Sequence, residues 1–124
     1  SKTLHLVKPE SNSELTSISI SSKTWDIIHN SMKQVVYGSK GTGKLSDPKI
    51  PGVIVSGKTG TAENPHGETH AWYIGFANYD NIDMISVVVL VENGGGGGSV
   101  ASPIAKEIFK KYNYKINYDI AVRQ

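Results

Sequence analysis

The stretch Val53–Glu63, which reads V-I-V-S-G-K-T-G-T-A-E, decides how the rest of the chain is interpreted. Its β-branched start predicts a strand. Alternation along a strand places Thr59 and Thr61 on one face and Lys58 and Gly60 on the other. Because Gly60 has no side chain, another group can approach the backbone closely there. An ammonium, two hydroxyls and open backbone are suited to hold a carboxylate and a reacting carbonyl against the strand edge.

Hydrophobic periodicity places further elements on both sides of this strand. The sequence predicts a helix at about 22–36, strands at about 53–59, 71–78 and 84–91, a helix at about 100–112, and a loosely held tail at 113–124. Residues 1–20 are predicted to be extended or irregular. Short links between the strands imply antiparallel pairing. We therefore predict an α/β fold of the α+β type, an antiparallel sheet flanked by helices, within a single domain spanning 1–124.

Further predictions concern how three regions of the chain pack. The near-continuous apolar run Ile85–Val91 predicts a strand buried on both faces. Trp25 and Trp72 are predicted to belong to the core, and Trp72 to support the Lys58–Thr61 strand from its neighbour. The run Gly94–Gly98 has two interpretations: a flexible linker, or a segment that passes closely over neighbouring groups because it lacks side chains.

Composition narrows the functional classes. The 124 residues carry a net charge of +2 with scattered lysines, so the basic surface of a nucleic-acid-binding protein is absent and no nucleic-acid partner is expected. The chain has no cysteine, which excludes disulfides and thiolate metal sites. It contains no apolar run of the roughly 20 residues that span a bilayer, and no signal peptide. Any membrane anchor is therefore expected outside this chain.

Longer motifs connect the chain to a known family. They are G-K-T-G-T-A-E-N-P-H-G from Gly57, H-A-W-Y-I-G-F-A from His70, and V-E-N-G-G-G-G-G-S-V-A-S-P-I-A-K-E-I-F from Val91. Together they resemble the C-terminal third of the transpeptidase domain of class B penicillin-binding proteins, most of all the penicillin-binding protein 2 group of cell elongation. The resemblance covers most of 22–112. The K-T-G motif is shared with serine β-lactamases, so it implies the penicillin-binding and serine β-lactamase-like transpeptidase fold.

The resemblance implies a function. Family members are peptidoglycan D,D-transpeptidases that cross-link stem peptides by serine acyl transfer, and β-lactams acylate them. By resemblance, Lys58 organises the proton network and the anion field, Thr59 and Thr61 bind the terminal carboxylate, Gly60 allows close approach, and the Thr61 N–H completes the oxyanion hole. No metal and no organic cofactor is implied. The implied location is the cell envelope, at the outer face of the bacterial cytoplasmic membrane (the periplasm).

Two further family motifs, S-x-x-K with the nucleophile and S-x-N or Y-x-N, have no convincing match. Ser46-Asp47-Pro48-Lys49 fits S-x-x-K as letters, but Pro48 inside the required helix costs ~3 kcal/mol. Tyr79-Asp80-Asn81 fits Y-x-N but follows K-T-G and lies in a predicted hairpin turn. We therefore interpret the chain as a C-terminal fragment, inactive alone, whose partner is the remainder of the transpeptidase domain in the same or a separate polypeptide.

Other interpretations remain open at this point. A β-lactam-binding sensor, a β-lactamase fragment and a non-catalytic interaction module share the K-T-G motif or the fold. Gly52–Thr59 matches the phosphate-binding pattern G-x-x-x-x-G-K-[ST], but it contains a predicted strand and no helix follows. His66 and His70 stand four residues apart but in a predicted loop, so a metal site is disfavoured and surface histidines are expected.

Overall fold

The computed structural model describes residues 19–123. Its elements are helix α1 (Ser22–Tyr37), a 3₁₀ turn (Lys44–Ser46), strands β1 (Val53–Ala62), β2 (His70–Tyr79) and β3 (Asp83–Val91), a π-helical turn (Gly97–Ala101) and helix α2 (Ser102–Val122). The strands form one antiparallel sheet in the order β1-β2-β3. This is the predicted fold class, an antiparallel sheet flanked by helices. The prediction for residues 1–18 lies outside the described residues.

Helix α1 begins and ends at local signals. The Ser21 side chain accepts a hydrogen bond of 3.2 Å from the Thr24 N–H, which satisfies one of the free donors of the first turn. At the other end the Gly38 N–H donates to the Gln34 carbonyl at 2.9 Å. The end of the helix lies against β1, where the Tyr37 hydroxyl accepts from the Val55 N–H at 3.0 Å.

A tight turn joins β2 to β3. Asp80 and Asn81 have φ angles of 51° and 57°, in the left-handed region that Asp and Asn tolerate best among non-glycine residues. The Ile82 N–H donates to the Tyr79 carbonyl at 2.8 Å across the turn. Positive φ at both central positions defines the type I′ geometry, whose twist matches that of the paired strands. Tyr79-Asp80-Asn81 therefore forms a hairpin, as the sequence predicts.

The core lies between one face of the sheet and α2. We call this the covered face. It buries Val53, Val55, Tyr73, Ala77, Val87 and Val89 against Ala101, Ala105 and Phe109. Phe109 is completely buried, and its carbonyl accepts a hydrogen bond of 2.9 Å from the Tyr79 hydroxyl. Burial, with Tyr112 and Asp83 adding to it, raises the pKa of Tyr79 to about 12, so this phenol stays a donor at neutral pH.

Helix α2 corrects the prediction of a loose tail at 113–124, because it continues to Val122. No Gly or Pro follows Pro103 to interrupt it. The Lys115 ammonium and the Asp119 carboxylate, one turn apart, pair at 2.8 Å. Ile116 packs against the core and gives the extension an apolar contact. Neither helix in the described part of the chain is long and apolar enough to cross a bilayer.

Strand β3 is not buried on both faces, so that prediction is wrong within residues 19–123. Val87 and Val89 are buried, whereas Val88 is 68% exposed and Leu90 44% exposed. These exposed side chains belong to the other sheet face, which we call the open face. It also carries Ile54, Trp72, Ile74 and Met84.

Helix α1 covers part of the open face, and the ring of its His29 lies 5.3 Å from the ring of Phe76. The prediction that both tryptophans are core residues is wrong for the same reason. Trp25 of α1 is 43% exposed and Trp72 of β2 is 36% exposed. A sequence pattern identifies apolar strand faces, but whether each face is covered depends on what packs on it.

Candidate active site

The K-T-G motif lies on β1, the strand at one edge of the sheet. The Val55 N–H donates to the Tyr37 hydroxyl at 3.0 Å and therefore points away from β2. Backbone groups two residues apart along a strand point the same way. Gly57, Thr59 and Thr61 consequently direct their N–H and C=O groups toward the outer edge of β1. The Thr61 N–H therefore points to the outer edge of the sheet, and its role in an oxyanion hole stays a prediction.

Lys58 reaches this outer edge from the open face. Its position opposite Ile74 of β2 places its side chain on that face. The ammonium then donates to the Thr59 carbonyl at 2.6 Å, which brings the positive charge to the outer edge of the strand. The side chain is exposed, so a ligand at the edge could contact the ammonium.

The two threonine hydroxyls approach the same edge from the covered face. The Thr59 hydroxyl lies 2.7 Å from that of Thr42, in the connection between α1 and β1. The Thr61 hydroxyl accepts from the Gly97 N–H at 3.3 Å. The predicted separation of threonines and lysine onto opposite faces is therefore present, and their polar groups nevertheless meet along one edge. The sequence does not indicate this role for Thr42, because no local pattern connects it to Thr59, seventeen residues away.

The glycine run packs directly against this strand. A Cβ built at Gly97 would overlap the carbonyl oxygens of Gly60 and Trp72, and one at Gly98 would overlap the Thr42 carbonyl. Gly97 is buried, and its N–H is the group that contacts Thr61. The interpretation of the run as a segment of close backbone approach therefore describes Gly97 and Gly98 better than that of a flexible linker. Trp72 lies opposite Gly60 on β2, and a Cβ added at Gly60 would lie 3.2 Å from the Cβ of Trp72.

A buried hydrogen-bond chain holds the connection before β1 in place. The Tyr73 hydroxyl donates to the Ser46 hydroxyl at 2.9 Å, and Ser46 donates to the Gly43 carbonyl at 2.7 Å. The tyrosine can reach Ser46 because Gly57 has no side chain, and a Cβ there would overlap the phenol oxygen. Burial raises the pKa of Tyr73, which keeps the phenol protonated as a donor. Gly57 of the motif thus has a packing role that no local sequence pattern indicates.

The same bonds explain why Ser46-Asp47-Pro48-Lys49 is a chance match to S-x-x-K. Ser46 is completely buried, and its hydroxyl is engaged on both sides. Lys49 is 81% exposed and pairs with the Asp47 carboxylate at 2.8 Å. The two side chains do not share a helix face, because the 3₁₀ turn ends at Ser46.

The structure also contradicts a phosphate-binding loop. Such a loop ends in the lysine and opens a helix. Here Lys58 lies inside a strand that continues to Ala62.

Among the described residues, no three His, Cys, Asp or Glu side chains are grouped so that they could hold a metal ion. The His70 Nδ1 accepts from the Asn93 N–H at 3.0 Å, which fixes the start of β2 to the end of β3.

A strand edge bearing an ammonium, two hydroxyls and outward N–H groups, on an antiparallel sheet packed by helices, is the class of site that the K-T-G motif predicts. The chain belongs to the penicillin-binding protein transpeptidase family, because the family model "Penicillin binding protein transpeptidase domain" matches residues 2–110. The resemblance inferred from the motifs is thereby confirmed. Family membership places the chain among proteins of the bacterial cell envelope.

Individual relatives agree with this assignment. The chain is 32% identical over 120 residues to the peptidoglycan D,D-transpeptidase MrdA of Haemophilus influenzae, covering 81% of this chain and 18% of MrdA. It is 41% identical over 81 residues to the peptidoglycan D,D-transpeptidase PbpA of Mycobacterium tuberculosis, covering 56% of this chain and 16% of PbpA. Both are of the penicillin-binding protein 2 type, as the motifs predict.

A solved structure supports the fold. The imipenem acyl-enzyme complex of penicillin-binding protein A from M. tuberculosis matches with a TM-score of 0.55 and 33% identity. The match covers 73% of this chain and 19% of that one. The chain therefore spans less than a fifth of the length of these relatives.

Proposed function

We propose that this chain supplies the K-T-G strand of a peptidoglycan D,D-transpeptidase, which cross-links stem peptides by serine acyl transfer and is acylated by β-lactams. One observation carries the proposal: the Lys58 ammonium, the Thr59 and Thr61 hydroxyls and the outward Thr61 N–H meet along one strand edge. A sensor or a β-lactamase would use the same edge, but the relatives of this chain are peptidoglycan D,D-transpeptidases.

The proposal assigns a role to each polar group of the K-T-G motif at the β1 edge. A stem peptide lies along β1 as an added strand and exchanges main-chain hydrogen bonds with it. Its terminal carboxylate accepts from the hydroxyls of Thr59 and Thr61 in the field of Lys58, while Gly60 lets it approach. The Thr61 N–H stabilises the oxygen that becomes negative when a serine attacks the D-Ala-D-Ala carbonyl. Removing one such donor typically costs about 3 kcal/mol of transition-state binding.

The attacking serine lies outside the described residues. Within them, the match to S-x-x-K is Ser46–Lys49, and its Ser46 is buried and structural. The proposed partner is the remainder of the transpeptidase domain, with S-x-x-K and S-x-N, in the same or a separate polypeptide. The serine attacks the carbonyl, D-Ala leaves, and an amine of a second stem peptide takes the acyl group and releases the serine. The proposed location is the outer face of the cytoplasmic membrane, with any anchor outside this chain.

The free edge of β3 and the exposed open face are evidence for such a partner. Strand β3 forms the second sheet edge and has no neighbour beyond it in residues 19–123. Unpaired edges of apolar strands are prone to association, and proteins normally cover them. The adjacent open face exposes Met84, Val88 and Leu90. A strand added at β3, with helices on the open face, would cover both surfaces.

Labelling with a fluorescent penicillin tests the proposal. We expect no covalent label on this chain alone. When this chain and the part that carries S-x-x-K and S-x-N are present together, as the complete domain, we expect label on the part that carries the nucleophile. Lys58→Ala should leave little label on the complete domain. The matched control is Lys49→Ala, which removes an exposed lysine outside the site. A covalent label on the isolated chain, or an unlabelled complete domain, would refute the proposal.

A further inference from the structure

The contact between Thr42 and Thr59 has a consequence for ligand binding. A hydroxyl has one proton to donate and two lone pairs that accept. The two oxygens lie 2.7 Å apart, and either can be the donor. A carboxylate only accepts. When one binds at the β1 edge, the proton of Thr59 must point to it, and Thr42 must then donate to Thr59.

Thr61 is arranged in the same sense. Its oxygen accepts from the Gly97 N–H at 3.3 Å, so one lone pair is occupied and its proton is free for a ligand. Each threonine of the motif therefore has a second protein group beside it: the Gly97 N–H donates to Thr61, and Thr42 can donate to Thr59 when the proton of Thr59 turns to a ligand. Hydrogen bonds in such chains polarise and strengthen one another.

Thr42 is held firmly enough to act in this way. The Gly43 N–H donates to the Val35 carbonyl at 2.9 Å, which fastens the connection to the end of α1. The Gly98 backbone packs against the Thr42 carbonyl so closely that a Cβ would overlap it. The buried bond between Tyr73 and Ser46 fixes the segment that follows. A donor with a fixed backbone requires little reorganisation when a ligand arrives.

We infer that Thr42 is a positioning residue of this site: by donating to the Thr59 hydroxyl, it orients that hydroxyl to donate to the carboxylate of the substrate or β-lactam. The inference rests on the proposed function. Thr42 itself need not contact the ligand. Its contribution is largest for ligands that carry a free carboxylate, because a hydrogen bond from Thr59 to a charged acceptor is about twice as strong as one to a neutral ester carbonyl.

The test compares a β-lactam with its methyl ester in the complete domain. Thr42→Val keeps the shape but removes the donor, and we expect the second-order rate of acylation by the free acid to fall roughly two- to tenfold. Acylation by the ester should be slow in both proteins, and Thr42→Val should reduce its rate less than it reduces the rate with the free acid. Thr42→Ser retains the hydroxyl and should restore the rate with the free acid.

The outcomes separate this inference from the proposed function. If the unmodified domain reacts with neither compound, the proposed function fails. If it reacts normally but Thr42→Val is as fast as the unmodified domain with the free acid, only the role of Thr42 fails. An equal loss with acid and ester would show that Thr42 merely supports the fold, which also overturns the inference.

Discussion

The two edges of this sheet differ in what they leave unpaired. At β1, Ile50 and Tyr37 occupy the first outward backbone groups, accepting from Val53 and Val55, and the polar groups of the K-T-G motif line the rest. At β3, the described chain provides no further strand, and the adjoining open face is apolar. One edge is thus suited to a peptide that ends in a carboxylate, and the other to a larger apolar partner. In the proposed function, the ligand site and the partner interface therefore occupy opposite edges of one three-stranded sheet.

The largest expected effect concerns the covered face, where all three strands pack against α2. Phe109→Ala removes a completely buried ring and should lower the free energy of unfolding of the complete domain by about 3–5 kcal/mol. Urea denaturation followed by circular dichroism measures this. Tyr114→Ala, on the same helix but 71% exposed, should change it by less than about 0.5 kcal/mol. Similar values for both variants would mean that α2 does not form the core described here.

The next effect tests the polar edge. Lys58→Ala removes the ammonium at the β1 edge and should slow acylation by a β-lactam about 100-fold in the complete domain, the scale of losing one electrostatic group of an active site. Thr61→Val, which keeps the N–H and removes the hydroxyl, should slow it about tenfold. Stopped-flow measurement with a chromogenic β-lactam gives both rates. Unchanged rates in both variants would remove the role assigned to this edge.

A third prediction concerns the packing behind the polar edge. Gly97→Ala forces a methyl group onto the backbone oxygens of Gly60 and Trp72, which cannot rotate away. It should cost about 1–3 kcal/mol of stability and slow acylation, because β1 must shift. In Gly96→Ala the methyl group meets only the Ser99 hydroxyl, at 3.1 Å, and both quantities should stay nearly unchanged. Equal tolerance of the two substitutions would favour the flexible-linker interpretation of the glycine run.

The smallest effect tests the apolar edge. Val88→Ser alters a side chain that is 68% exposed in the described residues. In this chain alone, the free energy of unfolding should therefore change by less than about 0.5 kcal/mol. In the complete domain the same substitution should lower the free energy of unfolding by about 1–2 kcal/mol, because the proposed partner buries this valine. Thermal unfolding of both samples measures the difference. An equal, small effect in both would indicate that the open face stays exposed to solvent.

The sequence anticipated the site better than its surroundings. The sequence predicts Lys58, Thr59 and Thr61 at a strand edge, because strand alternation and the K-T-G motif are local features. The roles assigned to them remain predictions until the variants are measured. Thr42 could not be predicted, since its contact with Thr59 joins segments that only the folded chain brings together.

The errors have a common physical origin. A polar composition predicted a loose tail at 113–124, but the segment is helical because Ile116 packs on the core and Lys115 pairs with Asp119. Tertiary contacts outweigh weak local preferences in such cases. The exposure of Val88 and Trp72 was missed for a related reason, since apolar character says nothing about which face is covered.

By itself, the sequence determined the strand that carries K-T-G, the opposite orientation of its lysine and threonines, the antiparallel order of the strands and the family. These follow from backbone geometry and from residues adjacent in the chain. Only the tertiary structure decided which partners hold Thr59 and Thr61, why Gly57 and Gly97 cannot carry side chains, and which sheet face is left open. Those features depend on distances between segments far apart in sequence, which packing and hydrogen bonding set only after the chain has folded.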